Sequence, residues 1–147
     1  MKTFRSSFLV LLVAAVSVPS FGHHMAVVVA ADNGASNLTS VQLGKIFRAE
    51  SKKWPDGRDI VLILHRASAG EAVTLQHLNK MKAGQFQAWS SEHREQLKFV
   101  DSDQEMLNAV QSTPGAVGLV DVRVVNDKVK VLHVDGKLPM EEGYLPH

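Results

Sequence analysis

The sequence predicts an α/β fold, a mixed sheet flanked by helices. Three observations carry that prediction. Short unbroken apolar runs recur at Ala26 to Ala31, Ile60 to Leu64 and Ala116 to Val120, each of a length that suits a strand buried on both faces. Between them lie segments with apolar residues at helical spacing. Three of these helical segments open on a capping-box spacing, at Thr39/Gln42, Ser68/Glu71 and Ser102/Glu105. The resulting order is β-α-β-α-α-(β)-α-β-β, which is the pattern of a layered α/β domain.

Residues 1–22 read as an export signal. Lys2 and Arg5 form a positive n-region, Phe8 to Val18 an apolar core, and Ser20 and Gly22 a small-residue cleavage pattern. The apolar core is too short for a comfortable membrane span. Cleavage after Gly22 would leave residues 23–147 as one domain. It would also remove two basic residues, leaving 14 basic against 15 acidic and a net charge of −1. The precursor's pI of 8.1 is therefore no sign of nucleic-acid binding. The absence of cysteine excludes a disulfide framework and a lipidated cysteine anchor. The expected protein is exported, with neither a nucleic-acid partner nor stable membrane insertion.

His23-His24-Met25 would lead the mature chain, and a terminal amine beside two imidazoles can bind copper or nickel. A frayed terminus with chance histidines is the plainer reading, and no metal site is expected. The β-branched run to Ala31 is the first strand, followed by turn formers from Asp32 to Asn37. Leu38 and Leu43 flank the Thr39 cap as a hydrophobic staple, and Leu43, Ile46 and Phe47 give the core stripe of the first helix. Gly44 weakens this helix or admits a close neighbour. Trp54-Pro55-Asp56-Gly57 reads as a turn anchored by a packed indole.

The stretch from Asp59 to Met81 holds the sharpest chemical signal. Its apolar strand breaks at His65-Arg66-Ala67-Ser68-Ala69-Gly70, and a helix with Ala72, Leu75, Leu78 and Met81 follows. A strand, a short loop and a helix N-terminus make a ready anion site, because free backbone N–H groups and the positive helix end face the loop. Arg66 adds a fixed positive charge. Glu71, in the first helical turn, brings a carboxylate that would repel an anion and that also suits a purely structural capping box.

Lys82 to Lys98 reads as a surface helix carrying Phe86 and Trp89, with His93 a partly buried structural residue four places beyond Trp89. Phe99-Val100 follows as a short strand. Ser102 opens a further helix that stops at Thr113-Pro114-Gly115. In the next strand Gly118 allows a close approach or a bulge. Val122 to Val125 and Val129 to Val134 then read as a hairpin about Asn126-Asp127-Lys128, and the tail from Asp135 has no clear pattern.

Several of these pieces, in this order, resemble the phosphate-binding protein of phosphate ABC transporters. They are Leu38-Thr39-x-x-Gln42-Leu43-x-x-Ile46-Phe47, Trp54-x-Asp56-Gly57, the apolar strand ending in Arg66, and Thr113-Pro114-Gly115-Ala116-Val117-Gly118. The resemblance runs from about Val27 to Val120 and implies a single lobe of a type 2 periplasmic-binding-protein-like fold. It also implies a small inorganic oxyanion as ligand, held by Arg66, Ser68, Ala69 and Gly70. Ala69 replaces a hydroxyl that the larger, two-lobed members carry, and Glu71 replaces a threonine. The alternative is an envelope interaction module, or a self-associating one, that keeps the fold without the anion. An enzyme is not expected, since H-E-x-x-H, G-x-S-x-G and G-x-x-x-x-G-K-[ST] are all missing. His65, His77, His93 and His133 show no ligand spacing, and no cofactor is implied.

Overall fold

The computed structural model describes residues 24–146. The expected signal peptide and His23, where the mature chain is expected to begin, lie outside them. In chain order the elements are β1 (Met25–Ala30), β2 (Asn37–Leu38), α1 (Ser40–Phe47), β3 (Val61–His65), α2 (Ala69–Asn79) and α3 (Ala83–Glu92). They continue with β4 (Leu97–Val100), α4 (Asp103–Ser112), β5 (Ala116–Asp121), β6 (Val129–Val131) and β7 (His133–Val134).

Five strands form one mixed sheet in the order β4-β3-β5-β1-β6. β3 runs parallel to β4 and β5, whereas β1 runs antiparallel to β5 and β6. Side chains alternate across the pleat, so each strand feeds two cores. Val27, Val29, Leu62, Leu64, Val117 and Leu119 face the layer that contains Leu43 and Phe47 of α1, Leu75 of α2 and Trp89 of α3. Ala26, Val28, Ile63 and Val120 face α4 through Met106, Leu107 and Val110. This double burial is why the strands read as continuous apolar runs rather than alternating ones.

Several predicted local devices form. The helix expected from Lys82 to Lys98 stops at Glu92, and Leu97 already belongs to β4. Ser102 caps α4, but Glu105 Oε2 accepts Asp101 N and does not close the box. Besides these and Glu71, described below, there are two larger exceptions. Thr39 and Gln42 make the full capping box, each side chain accepting the other residue's backbone N–H. Trp54 is buried and its Nε1 donates to the Gly115 carbonyl at 2.9 Å, so the indole serves packing. His93 ends α3 with its ring against Trp89, centroids 5.2 Å apart. A Cβ on Gly118 would lie 2.4 Å from Met106 Sδ, which explains the glycine as a close approach of α4 to β5.

The first exception is the hairpin about Asn126. Val122–Val124 is a 3-10 turn, with the Asp121 side chain accepting from Arg123 N, and not a strand. β6 pairs with β1 instead of with a neighbour before the turn and runs parallel to β5 on its far side, so residues 122–128 return along the length of β1, from the end at Met25 to the end at Ala30. The other exception is the patternless tail, which is part of the core. Tyr144 is buried, its hydroxyl donating to the Leu132 carbonyl at 2.6 Å and accepting from Val27 N at 3.1 Å.

Candidate functional site

β3 and β4 end side by side, and the helices that follow them lie on opposite faces of the sheet. The next strand in the chain, β5, returns to the far side of β3. In an open α/β sheet such a reversal leaves a crevice at the carboxyl ends of the strands, between the two loops. Here those loops are 66–68 and 101–102, and the helices they open, α2 and α4, are capped by Ser68 and Ser102.

The loop after β3 is held by its own backbone. Ser68 N donates to the His65 carbonyl at 3.4 Å, and Ala67 N donates to His65 Nδ1 at 3.1 Å. That bond places the imidazole proton on Nε2, which lies 3.8 Å from Asp103 Oδ1. Ser68 is extended, and its Oγ accepts Glu71 N at 3.1 Å. Among the described residues no acceptor meets the amides of Ala69 and Gly70, the first two residues of α2. They are the free donors that a helix N-terminus offers an anion.

Arg66 is tied to the neighbouring strand end, its N–H donating to the Val100 carbonyl at 3.0 Å. The guanidinium lies over the Phe99 ring, 5.2 Å from its centroid, and 3.8 Å from Asp101 Oδ1. Its side chain is 61% exposed, so the ion pair is weak and an incoming anion can compete for it. Arg66, Ser68, Ala69 and Gly70 therefore share one short loop. Gly70 is buried, Ala69 is exposed, and the Ser68 hydroxyl is already engaged as the helix cap.

Glu71 departs from expectation. It is buried to 1% exposure, and its Oε2 accepts the backbone N–H of His65 at 2.5 Å instead of returning to Ser68 N. The reason lies in the sheet. Val61 N donates to Gly115 O, just before β5, but the β3–β5 pairing stops at Ile63, so the His65 amide has no strand to meet on that side. The Glu71 carboxyl takes the missing strand's place. Burial pushes its pKa up to about 8, with nearby Asp103 adding to the rise and the His65 amide opposing it. Below that pH the group is neutral, so the expected repulsion of an anion is largely absent.

Asp101, Phe99 and Asp103 were not legible as neighbours of Arg66 and His65, because they come from the next strand and helix. The burial of Glu71 did carry a signal: it sits four residues before Leu75 and seven before Leu78, on the core stripe of α2.

Residues 15–142 match the model of a PBP superfamily domain. Among solved structures the chain is similar to an ABC-type phosphate transport receptor from Vibrio cholerae, with 22% identity and a TM-score of 0.64. That match covers 78% of this chain and 47% of the receptor. It is also similar to a Clostridium perfringens protein, assigned as a phosphate ABC transporter substrate-binding protein and solved with bound phosphate. There the identity is 23% and the TM-score 0.64, over 78% of this chain and 46% of that one. A phosphate binding protein from Stenotrophomonas maltophilia matches at 16% identity and a TM-score of 0.59, over 78% and 40%. The chain thus spans about half the length of these structures or less. No curated protein matches it.

Proposed function

The chain belongs to the PBP superfamily, and on that premise we propose that it is an exported domain binding phosphate or a similar oxyanion at the loop from Arg66 to Gly70. One observation carries the reading. The unpartnered amides of Ala69 and Gly70 open α2 beside an exposed guanidinium, at the carboxyl edge of the sheet. Arg66 supplies charge, the two amides supply directed donors, and the Ser68 cap fixes the helix end that presents them. The neutral state of Glu71 removes the main electrostatic objection. The names of the similar solved structures support phosphate as the anion and ABC transport as the setting.

Export rests on the n-region, apolar core and cleavage pattern of residues 1–22, with residues 23–147 as the mature domain. One lobe leaves the anion open to solvent on one side, so tight capture needs an opposing wall from a second copy or an envelope protein. Nothing in this role calls for catalysis.

A second reading, the interaction module, is favoured by two contacts. Ser68 Oγ is occupied by Glu71 N, and Arg66 already has Asp101. Calorimetric titration of the purified domain with phosphate, and separately with sulfate, tests the two. Saturable heat with either anion supports the site; a flat response to both leaves the interaction module.

A further inference from the structure

A cavity of about 460 Å³ lies between α2 and α3, with Leu64 of β3 and Phe99 of β4 in its wall. It borders the anion loop on both sides. His65 and Arg66, just before residues 67–70, line it, and so do Glu71 and Ala72, just after them. From there it reaches Met81, beyond the end of α2, and Phe86 of α3. Its accessible wall is mostly apolar. Packing alone leaves three of its side chains incompletely covered. Phe99 is 39% exposed on the edge strand β4, and Met81 and Phe86 are only partly buried against the core. The unpartnered polar atoms of Glu71 and Asn79 offer no anchor, because they are enclosed in the protein with almost no accessible surface. Among the described residues Arg66 is the only lysine or arginine that lines the cavity. Its exposed guanidinium lies over the Phe99 ring, 5.2 Å from the centroid, so charge and open aromatic surface meet at one point.

We propose that the oxyanion this protein takes carries an apolar group, as an aryl or alkyl phosphonate or phosphate monoester does, with its head at Arg66 and its body in the cavity between α2 and α3. This rests on the oxyanion reading and narrows it. A lone lobe reaches only part of a tetrahedral anion, which leaves one position on phosphorus free to bear a carbon or ester link. The shared border of loop and cavity gives that substituent an apolar wall to lie against. The volume is that of an ordinary small-molecule pocket, and an apolar wall with few polar anchors is the usual composition. Phe99 then serves twice, holding the guanidinium over its face and covering part of the ligand body. A sugar or glycerol body would bury hydroxyls against that wall without partners, so polar esters are disfavoured. Arg66 likewise disfavours a cationic ligand.

Calorimetric and NMR titration of the full chain with inorganic phosphate, methylphosphonate, phenylphosphonate and glycerol phosphate tests it. Phenylphosphonate should bind about tenfold more tightly than methylphosphonate, the return for burying roughly half of a phenyl ring. It should also shift the Met81 methyl resonance, which methylphosphonate leaves in place. Ala72→Phe puts a ring into the cavity from an exposed helix position and should remove the tenfold advantage while methylphosphonate still binds. Equal affinity for the two phosphonates, a silent Met81 methyl, or an advantage that survives Ala72→Phe overturns the cavity as the seat of the body. Glycerol phosphate binding as tightly as phenylphosphonate overturns the apolar assignment. If phosphate binds and phenylphosphonate gains nothing, only this inference falls; a flat response to all four anions removes the oxyanion reading with it.

Discussion

The buried carboxyl of Glu71 accepts the backbone N–H of His65 at 2.5 Å, joining the first turn of α2 to the last residue of β3. A single acidic side chain thereby completes a sheet whose neighbouring strand has ended. It also fixes the angle at which the helix leaves the strand, and hence where the amides of Ala69 and Gly70 face.

The protonation of Glu71 makes stability depend on pH. Its pKa is raised from 4.5 to about 8, so between those values the folded chain holds a proton that the unfolded chain releases. The stabilisation is complete below 4.5 and is lost as pH rises towards 8, by about 1.4 kcal/mol per pH unit at most. Glu71→Gln keeps an acceptor for His65 N and does not titrate. Urea unfolding of both proteins from pH 5 to pH 9 should show the wild type falling relative to the variant. Parallel curves would mean that the carboxyl is already ionised at pH 5.

Arg66→Ala should weaken oxyanion binding by about 1.5–3 kcal/mol, the range for a hydrogen bond to a charged group. Stability should change by less than about 1 kcal/mol, because the guanidinium is exposed and its pair with Asp101 is loose. Calorimetric titration with phosphate and a thermal melt separate the two effects. Phosphate affinity equal to wild type would place the anion elsewhere.

Much of this architecture was legible from the chain. The apolar runs revealed β1, β3 and β5 because burial on both faces leaves no room for polar alternation. The serine and threonine caps revealed where α1, α2 and α4 begin, to the residue. What stayed hidden depends on register. Val129 pairs with Ala30 across the sheet, and no local pattern distinguishes that from pairing across the Asn126 turn. At the site, the loop was readable because its parts are contiguous. The contacts of Arg66 with Phe99 and Asp101 require β4 to lie beside β3. The direction of the Glu71 carboxyl required knowing that β5 ends its pairing at Ile63.

Tyr144→Phe tests the C-terminal tail. Removing the hydroxyl leaves the buried amide of Val27 without its acceptor and the Leu132 carbonyl without that donor. A loss of about 1–3 kcal/mol in denaturant unfolding is expected. A change near zero would show that the tail detaches from the core at little cost.

Two glycines should respond unequally to alanine. At Gly115, φ is +77° and the new Cβ would meet the Asp59 carbonyl oxygen at 2.0 Å, a backbone atom that has little room to retreat. At Gly118 the obstacle is the flexible thioether of Met106. Gly118→Ala should cost about 1–3 kcal/mol and Gly115→Ala more, with shifts in the urea midpoint as the measure. The reverse order would show that Met106 is the more rigid neighbour.

The placement of β1 governs when the fold can exist at all. Among the described residues Met25 to Ala30 is the first strand, yet its partners are β5 on one side and β6 on the other. During synthesis it must wait, bare-edged and strongly apolar, until residues beyond Val131 have emerged. No early hairpin can shelter it, and closing loops of that length makes folding slower than in a helical bundle of equal size. The segment Ala26-Val27-Val28-Val29-Ala30 is thus the chain's chief hazard for premature pairing with another copy. A holding chaperone that covers these five residues would protect the nascent protein without obstructing any helix.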